Sequence, residues 1–156
     1  LKQCRIFRRV KKPVMLKRGF MSTVEEFLLA AEYMRQNGVK VFLCERGIRT
    51  FETYTRNTMD ISCVALVHKL SPYPIIVDIS HALGRTDIMI PMAKSVVASG
   101  SDGLMIEVHP DPQKALSDGK QSLNFDEFEC LFSQIKPWIE FRIKEQKKLE
   151  NIKIQK

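Results

Sequence analysis

Apolar and polar positions follow each other in blocks along this chain, and the blocks predict a repeated strand–helix unit. Four apolar runs have the length and composition of buried parallel strands, and each one ends in charged or titratable side chains. These runs are Pro13–Gly19, Val39–Gly47, Pro74–His81 and Asp102–His109. Helical patterns separate the runs, so the sequence predicts parallel βα units.

Four helices are predicted from the periodic segments between and after the runs. In the first, Ser22 and Glu25 have the spacing of a capping box, and Asn37-Gly38 would end the helix. The others are predicted over Thr58–Lys69, Asp87–Ser99 and Asn124–Ile135, the last with Asn124 as its cap. Pro137 is predicted to separate residues 1–137 from a charged helical tail over residues 138–156.

The polar ends of the runs favour one α/β architecture over another. A doubly wound sheet binds its ligand beside a glycine-rich loop, and the sequence has no GxGxxG or GxxxxGK[ST] motif. A (β/α) barrel collects functional groups from several strand ends, as the four runs would do. We therefore predict an α/β fold, a parallel (β/α) barrel.

The number of runs is half of what a closed barrel needs. Eight strands and about 250 residues are typical, whereas this chain has 156 residues and four runs. An open half barrel would leave two strand edges unpaired. We therefore expect a partial barrel, completed by a missing amino-terminal half or by association of two halves. Leu1–Val10 resembles the end of a preceding helix and favours the first possibility.

Composition narrows the class of protein further. Hydrophobic residues make up 44% of the chain, but no apolar run is long enough to cross a membrane. The basic start lacks the features of a signal peptide. Four scattered cysteines without a CxxC pair are typical of reduced thiols, so we expect a cytoplasmic protein.

The net charge of +7 raises the question of nucleic-acid binding. The basic residues are concentrated at the two ends of the chain, in residues 1–20 and 142–156, and the part between them is acidic overall. The sequence contains no basic stripe interleaved with aromatic residues. Solvated, charged termini therefore explain the charge better than a nucleic-acid partner does.

Three residues near the last two runs could hold a divalent metal ion. His81 closes the third run, where a histidine can be a metal ligand, an acid–base group or simply a packed side chain. Glu107 lies within an apolar run, where a carboxylate is costly unless it is paired or bound to a cation. Asp118 lies on the next loop, where an ordinary Asp-Gly turn is the alternative. One imidazole and two carboxylates suit Mn²⁺, Fe²⁺ or Zn²⁺, although their spacing alone does not select them.

Charged residues at the ends of the first two runs suggest an anionic substrate. They are Lys17 and Arg18 after the first run and Glu45 and Arg46 after the second. Arginine offers a two-pronged contact to phosphate or carboxylate and lysine a point charge, and a solvated rim charge is the alternative. Weaker candidates are Arg49, Arg56 and Arg85, with Asp60 and Asp87 as possible neutralising partners.

These segments resemble strands five to eight of the 3-deoxy-7-phosphoheptulonate (DAHP) synthases. The resemblance runs from Lys11 to Lys136 and is nearest to the subgroup that is sometimes fused to chorismate mutase or a small regulatory domain. The matching strings are Lys-Pro-Val-Met-Leu-Lys-Arg-Gly (12–19), Leu-Cys-Glu-Arg-Gly-Ile-Arg-Thr-Phe-Glu (43–52), Ile-Val-Asp-Ile-Ser-His-Ala-Leu-Gly-Arg (76–85), Gly-Leu-Met-Ile-Glu-Val-His-Pro-Asp-Pro (103–112) and Ala-Leu-Ser-Asp-Gly-Lys-Gln-Ser-Leu (115–123).

The resemblance implies a reaction and a role for each matched residue. Phosphoenolpyruvate and erythrose 4-phosphate would condense in the first step of the shikimate pathway, on a homo-oligomeric enzyme. The divalent metal ligands would be His81, Glu107 and Asp118. Phosphoenolpyruvate would be held by Lys17 and Arg46, flanked by Arg18 and Glu45, with Lys17 and His81 as the catalytic residues.

Parts of the family pattern have no counterpart in this sequence. The family's fourth metal ligand is a cysteine near the end of the first strand, and a Lys-Pro-Arg-Thr loop binds erythrose 4-phosphate. Ile79 stands where proline is expected, and Thr86 stands where arginine is usual. Two alternatives therefore stay open: a sister synthase that uses arabinose 5-phosphate or makes sialic acid, and a non-catalytic fragment or paralogue with an association or regulatory role.

Overall fold

A computed structural model describes residues 12–154, with side chains described for residues 12–148. The expectation for Leu1–Val10 lies outside this range, as does Cys4, the first of the four cysteines. The strands are β1 (Val14–Lys17), β2 (Val41–Glu45), β3 (Ile75–Asp78) and β4 (Gly103–Met105). The α-helices are α1 (Val24–Gln36), α2 (Ser62–Leu70), α3 (Ile79–Leu83), α4 (Met89–Ser99) and α5 (Phe125–Ile154). Two short 3₁₀ helices, Pro112–Lys114 and Gly119–Gln121, lie between β4 and α5.

The four strands form one parallel sheet in the order β1-β2-β3-β4. Parallel connections are almost always right-handed, so strands added in one direction place their crossover helices on the same face. A doubly wound sheet would instead reverse its strand order at a switch point. The sequential order is that of a barrel sector, as predicted.

The buried core lies between this sheet and its helices. Leu43, Ile75 and Val77 are fully buried on the strands, and the helices contribute Val64 and Val96. They belong to one cluster of buried apolar residues that also includes Phe27, Ala31, Val67, Ala93 and Leu131. β-branched and leucine side chains therefore form the helix-facing side of the sheet, as expected for a parallel sheet.

Three helix starts differ from the prediction. One is that of α4, which begins at Met89 instead of Asp87. Thr23, not Ser22, caps α1: its hydroxyl accepts from the Glu26 amide at 3.1 Å, and the Glu26 carboxylate accepts from the Thr23 amide at 2.9 Å. Helix α2 begins at Ser62, not Thr58, because the amide and carbonyl of Thr58 both bond to Ile48. A backbone already paired in a bridge is not available for the first turn of a helix.

Helix α5 is longer than predicted, whereas its start agrees with the sequence. Asn124 and Glu127 form the expected reciprocal cap, with bonds of 2.8 and 2.9 Å. The helix continues through Pro137 to Ile154, so the proposed boundary after residue 137 falls inside a continuous helix. The division into barrel and tail stays a prediction. None of the described helices combines the length and apolarity needed to cross a bilayer.

Candidate active site at the carboxyl ends of the strands

The structure brings together the three residues that the sequence suggested as metal ligands. One potential ligand atom from each of His81, Glu107 and Asp118 lies within 4.8 Å of the others. His81 Nε2 is 3.4 Å from Glu107 Oε1. The carboxyl ends of parallel strands meet at one edge of a sheet, so residues that follow β3 and β4 converge there.

Two of these residues do not lie where the sequence predicted. The third run was expected to stay extended to His81, but β3 ends at Asp78 and His81 lies in helix α3. The Asp78 side chain caps this helix by accepting from the His81 amide at 3.0 Å. Likewise, β4 ends at Met105, so Glu107 lies beyond the strand with 30% of its side chain exposed. The site therefore occupies the loops above the sheet.

A small hydrogen-bonded network surrounds the two carboxylates. Gln121, which is buried, donates to Glu107 Oε2 at 2.8 Å. Arg56 donates to the side-chain oxygen of Gln121 at 3.0 Å and to Asp118 Oδ1 at 3.1 Å. Asp118 has a backbone φ of 57°, in the left-handed region that asparagine and aspartate tolerate best. These contacts hold both acids toward His81.

This group of side chains fits a divalent cation. Its two carboxylates repel each other at short range unless positive charge lies between or beside them, and Arg56 already contacts one of them. One imidazole nitrogen and two carboxylate oxygens form a donor set that first-row transition metals accept. No described cysteine belongs to the cluster: Cys44 is fully buried, and burial, with the nearby Asp78 charge, raises its pKa to about 12.

Asp78 lies next to this cluster and contacts both His81 and Lys17. Its Oδ2 atom accepts a hydrogen bond from Lys17 Nζ at 2.6 Å and lies 2.9 Å from His81 Nδ1, a charge contact without hydrogen-bond geometry. Burial by itself would raise the pKa of this fully buried carboxyl group, but the bonds from Lys17 and from the His81 amide lower the pKa below its usual range. Asp78 is therefore an ionised carboxylate between a lysine and a histidine.

Neighbouring residues at the strand ends point to opposite faces of the sheet. Side chains alternate along a strand, and Lys17 pairs in register with Cys44 on the face that also carries Asp78. Arg18 therefore turns to the helix-facing side, where its guanidinium bonds to Glu45 at 3.0 Å and to Asp60 at 2.7 Å. Glu45 also accepts from the Gly47 amide at 2.7 Å.

Arg18 and Glu45 are thus bound to other protein groups. Arg18 is only 5% exposed, and Glu45 is fully buried. Burial opposes the charge of Arg18, but the bonds to Asp60 and Glu45 raise the pKa of its guanidinium above the usual value. Asp60 and Asp87, named from the sequence as possible neutralising partners, form ion pairs with Arg18 and Arg85 respectively.

Arg46 has a different environment, in which part of its guanidinium lacks a partner. Its guanidinium lies 3.9 Å above the ring of Phe20, and its NH1 nitrogen is buried without a hydrogen-bond partner among the described residues. Burial and the nearby positive charge of Arg56 lower the pKa of Arg46, although an arginine stays charged. A half-buried cation with one buried, unpaired donor is suited to an anionic ligand.

The turn after Arg46 requires glycine. Gly47 has a φ of 85°, and a β-carbon there would approach the Asn57 β-carbon to 2.5 Å. The tight turn brings Arg46 over the sheet while the Gly47 amide stays bonded to Glu45. Sequence reasoning gave no role to Asp78, Gln121 or Phe20, because only the strand register and the loop conformations bring them to the site.

The fold and the residues of this site define a class of protein. Parallel βα units with chemically active side chains at the carboxyl ends of the strands are the arrangement of (β/α)-barrel enzymes. A sequence model of the DAHP synthetase I family matches residues 5–140. This chain therefore belongs to the DAHP synthetase I family.

Individual relatives agree with this assignment. A phospho-2-dehydro-3-deoxyheptonate aldolase of Thermotoga maritima is 58% identical over 126 residues, which are 80% of this chain and 37% of that protein. A 2-dehydro-3-deoxyphosphooctonate aldolase of Haemophilus ducreyi is 32% identical over 139 residues, 81% of this chain and 46% of the relative. This chain thus spans less than half the length of either curated relative.

A solved structure supports the barrel assignment. A truncated form of 3-deoxy-D-arabino-heptulosonate 7-phosphate synthase from Thermotoga maritima superposes with a TM-score of 0.84 and 52% identity. The match covers 89% of this chain and 55% of that structure. The predicted partial barrel is confirmed by this likeness and by the parallel four-stranded sheet.

Proposed function

We propose that this chain is the carboxyl-terminal half of the barrel of a metal-dependent DAHP synthase, which condenses phosphoenolpyruvate with erythrose 4-phosphate. One observation carries the proposal: His81, Glu107 and Asp118 approach within 4.8 Å, and His81 and Lys17 both contact the Asp78 carboxylate. The family membership supports the same reaction. Further strands would complete the barrel. The term complete barrel is used below for the protein that contains both those strands and this chain.

The metal would be held by His81, Glu107 and Asp118, with Mn²⁺, Fe²⁺ or Zn²⁺ as candidates. When bound, such an ion supplies Lewis-acid polarisation of a carbonyl oxygen or of a water molecule. His81 would offer Nε2, because Nδ1 already faces Asp78. Gln121 would hold Glu107 in place through its second oxygen. Supporting partners of this kind orient metal ligands in many sites.

The positive charges would hold phosphoenolpyruvate. Lys17 is 35% exposed, so its ammonium can meet a substrate without losing Asp78. Arg46 has a buried donor free for a phosphate or carboxylate oxygen. We propose that Arg18 and Glu45 flank this site without contacting the substrate and mainly stabilise the fold, since their own donors and acceptors bind protein groups.

The chemistry needs such a cationic site. In the proposed reaction a carbon–carbon bond forms between C3 of phosphoenolpyruvate and the aldehyde carbon, water adds at C2, and inorganic phosphate leaves. Lys17 and Arg46 would orient the enol phosphate and stabilise the negative charge on the departing group. His81 would lie close enough to assist proton movement at C2.

Scattered cysteines with two buried free thiols support a cytoplasmic location.

The decisive experiment follows phosphoenolpyruvate consumption and phosphate release in the complete barrel. Both are expected only when erythrose 4-phosphate and a divalent metal are present, and chelation should abolish them until Mn²⁺ is restored. His81→Ala should cost more than the roughly 10–100-fold typical of losing an outer-shell partner. His68→Ala, on the partly exposed face of α2, is the matched control and should keep activity. A fully active His81→Ala protein would refute the site assignment.

One second function has specific support. Several relatives at about one-third identity carry the name 2-dehydro-3-deoxyphosphooctonate aldolase, for example the protein of Actinobacillus pleuropneumoniae at 34%. Running the same assay with arabinose 5-phosphate separates the two reactions. The higher identity of 58% to the heptonate enzyme favours erythrose 4-phosphate. Failure to bind Mn²⁺ at all would instead favour a non-catalytic association module.

A further inference from the structure

The fully buried carboxylate of Asp78 has three contacts that a helix cap alone does not need. Its Oδ1 atom accepts from the His81 amide, which completes the cap of α3. The other oxygen, Oδ2, is left for Lys17 Nζ at 2.6 Å and His81 Nδ1 at 2.9 Å. A side chain that only ended β3 and started α3 could be asparagine or serine.

Burying a charge here has a cost that a cap would not require. Asp78 has no exposed surface, and an ionised carboxylate is stable away from water only when it is well paired. Both of its charged or polar side-chain partners are residues that the proposed function uses, one for substrate and one for metal. Asp78 therefore contacts one residue that would bind the substrate, Lys17, and one that would bind the metal, His81.

The position of Asp78 determines which nitrogen of His81 can reach the metal. His81 Nδ1 is buried and lies 2.9 Å from Asp78 Oδ2, outside the geometry of a hydrogen bond. A negative charge at this distance favours the tautomer that carries the proton on Nδ1. The unprotonated Nε2 then faces Glu107 at 3.4 Å, on the side of the cluster. Carboxylates that accept from the second nitrogen of a ligating histidine orient the ring and increase its basicity.

We propose that Asp78 is a positioning residue that serves both halves of the site, by holding His81 with Nε2 free for the metal and by holding the Lys17 ammonium where the substrate binds. This inference rests on the proposed function. Because one oxygen atom serves both partners, metal binding and phosphoenolpyruvate binding share a common support. Removing the negative charge should weaken both.

The test compares Asp78→Asn with wild type in the complete barrel. Asparagine keeps the Oδ1 acceptor for the cap, but its amide would face the Lys17 ammonium and donate to His81 Nδ1, so that Nε2 becomes protonated. The dissociation constant for Mn²⁺, measured by competition with a chelator, should rise about 10–100-fold. The KM for phosphoenolpyruvate should rise as well, because Lys17 loses its partner.

A matched control separates a charge effect from a general one. Asp126→Asn removes an exposed carboxylate in the first turn of α5 and should leave both constants unchanged. Thermal unfolding would check that each variant is folded. An Asp78→Asn protein that binds Mn²⁺ and phosphoenolpyruvate as wild type does would overturn the inference and leave the proposed function intact.

A second measurement needs no variant. Nitrogen-15 chemical shifts of His81 in metal-free wild-type protein should report a proton on Nδ1 and none on Nε2. The opposite tautomer would overturn the inference even if Asp78→Asn did not fold. If wild-type protein bound no metal, the proposed function would fail first, so the two failures can be told apart.

Discussion

At the scale of single residues, adjacent charged side chains have unlike roles because a strand turns them to opposite faces. Lys17 lies with Asp78 on one face of the sheet, and Arg18 lies with Glu45 on the other. The two residues look equivalent in the sequence, where both follow the same apolar run. Their environments differ in burial as well: 35% of the Lys17 side chain is exposed, against 5% for Arg18.

This difference predicts that Arg18 contributes mainly to stability. Arg18→Met would leave Glu45 and Asp60 without their cation, and removing one partner of a buried pair typically costs about 3–5 kcal/mol. Urea unfolding of the complete barrel should show a loss of this size. The KM for phosphoenolpyruvate of the protein that remains folded should change little.

A double variant provides the control for this prediction. Adding Glu45→Gln to Arg18→Met removes the more deeply buried of the two uncompensated charges, because Glu45 is fully buried and Asp60 is 19% exposed, so part of the lost stability should return. An unchanged unfolding free energy in Arg18→Met, combined with a large rise in KM, would contradict the structural role and restore direct substrate binding by Arg18.

At the scale of elements, the caps decide where helices begin. The cap of α1 was predicted at Ser22, three residues before Glu25, but Thr23 and Glu26 have the same spacing one residue later. The structure uses the second pair. The choice follows from the preceding turn, in which the Ser22 amide bonds to Gly19 and the Ser22 carbonyl accepts from Arg18.

The two hydroxyls can be distinguished by experiment. Thr23→Ala should destabilise the protein by about 1 kcal/mol, the typical loss for an N-cap, because the Glu26 amide loses its acceptor. Ser22→Ala is the matched control and should have a smaller effect on the urea midpoint. An equal or larger loss in Ser22→Ala would mean that the cap is assigned to the wrong residue.

Helix α3 is an element that sequence patterns did not predict. Its five residues follow β3 directly, and the apolar residues Ile79, Ala82 and Leu83 continue the buried pattern of the strand. A buried strand and a short buried helix have the same composition, so periodicity cannot separate them. The turn of helix changes the direction of His81 and allows its Nδ1 to face Asp78.

At the scale of the whole molecule, the described sheet has two open sides. β1 and β4 form its edges, and unpaired parallel edges can pair with other chains. Beside β4, an apolar groove with a volume of 480 Å³ is lined by residues of α4, β4, α5 and the segment after β4, among them Leu104, Ile106 and Phe132. In a complete barrel, further strands would cover these surfaces.

The isolated 156-residue chain is therefore expected to associate with itself. Light scattering after size exclusion should show species larger than the monomer mass of 18.0 kDa, and a dye that binds apolar surfaces should fluoresce more strongly than with the complete barrel. A monomeric chain that does not bind the dye would show that the edges and the groove are protected in another way.

The sequence by itself determined the class of fold and most of the candidate site. Apolar runs of strand length, separated by helical periods, specify parallel βα units because burial and backbone hydrogen bonding leave few other arrangements. Polar residues at the ends of those runs identified the edge where the site lies. The motifs around His81, Glu107 and Asp118 indicated the family.

Only the tertiary structure decided which side chains act together. The register of β1 against β2, together with that of β2 against β3, places Lys17 beside Asp78. It also places Arg18 beside Glu45 on the other face of the sheet. The loop after β4 brings Gln121 to Glu107 across 14 positions. Such contacts depend on distances between segments that are remote in sequence, and local patterns of hydrophobicity and spacing contain no information about those distances.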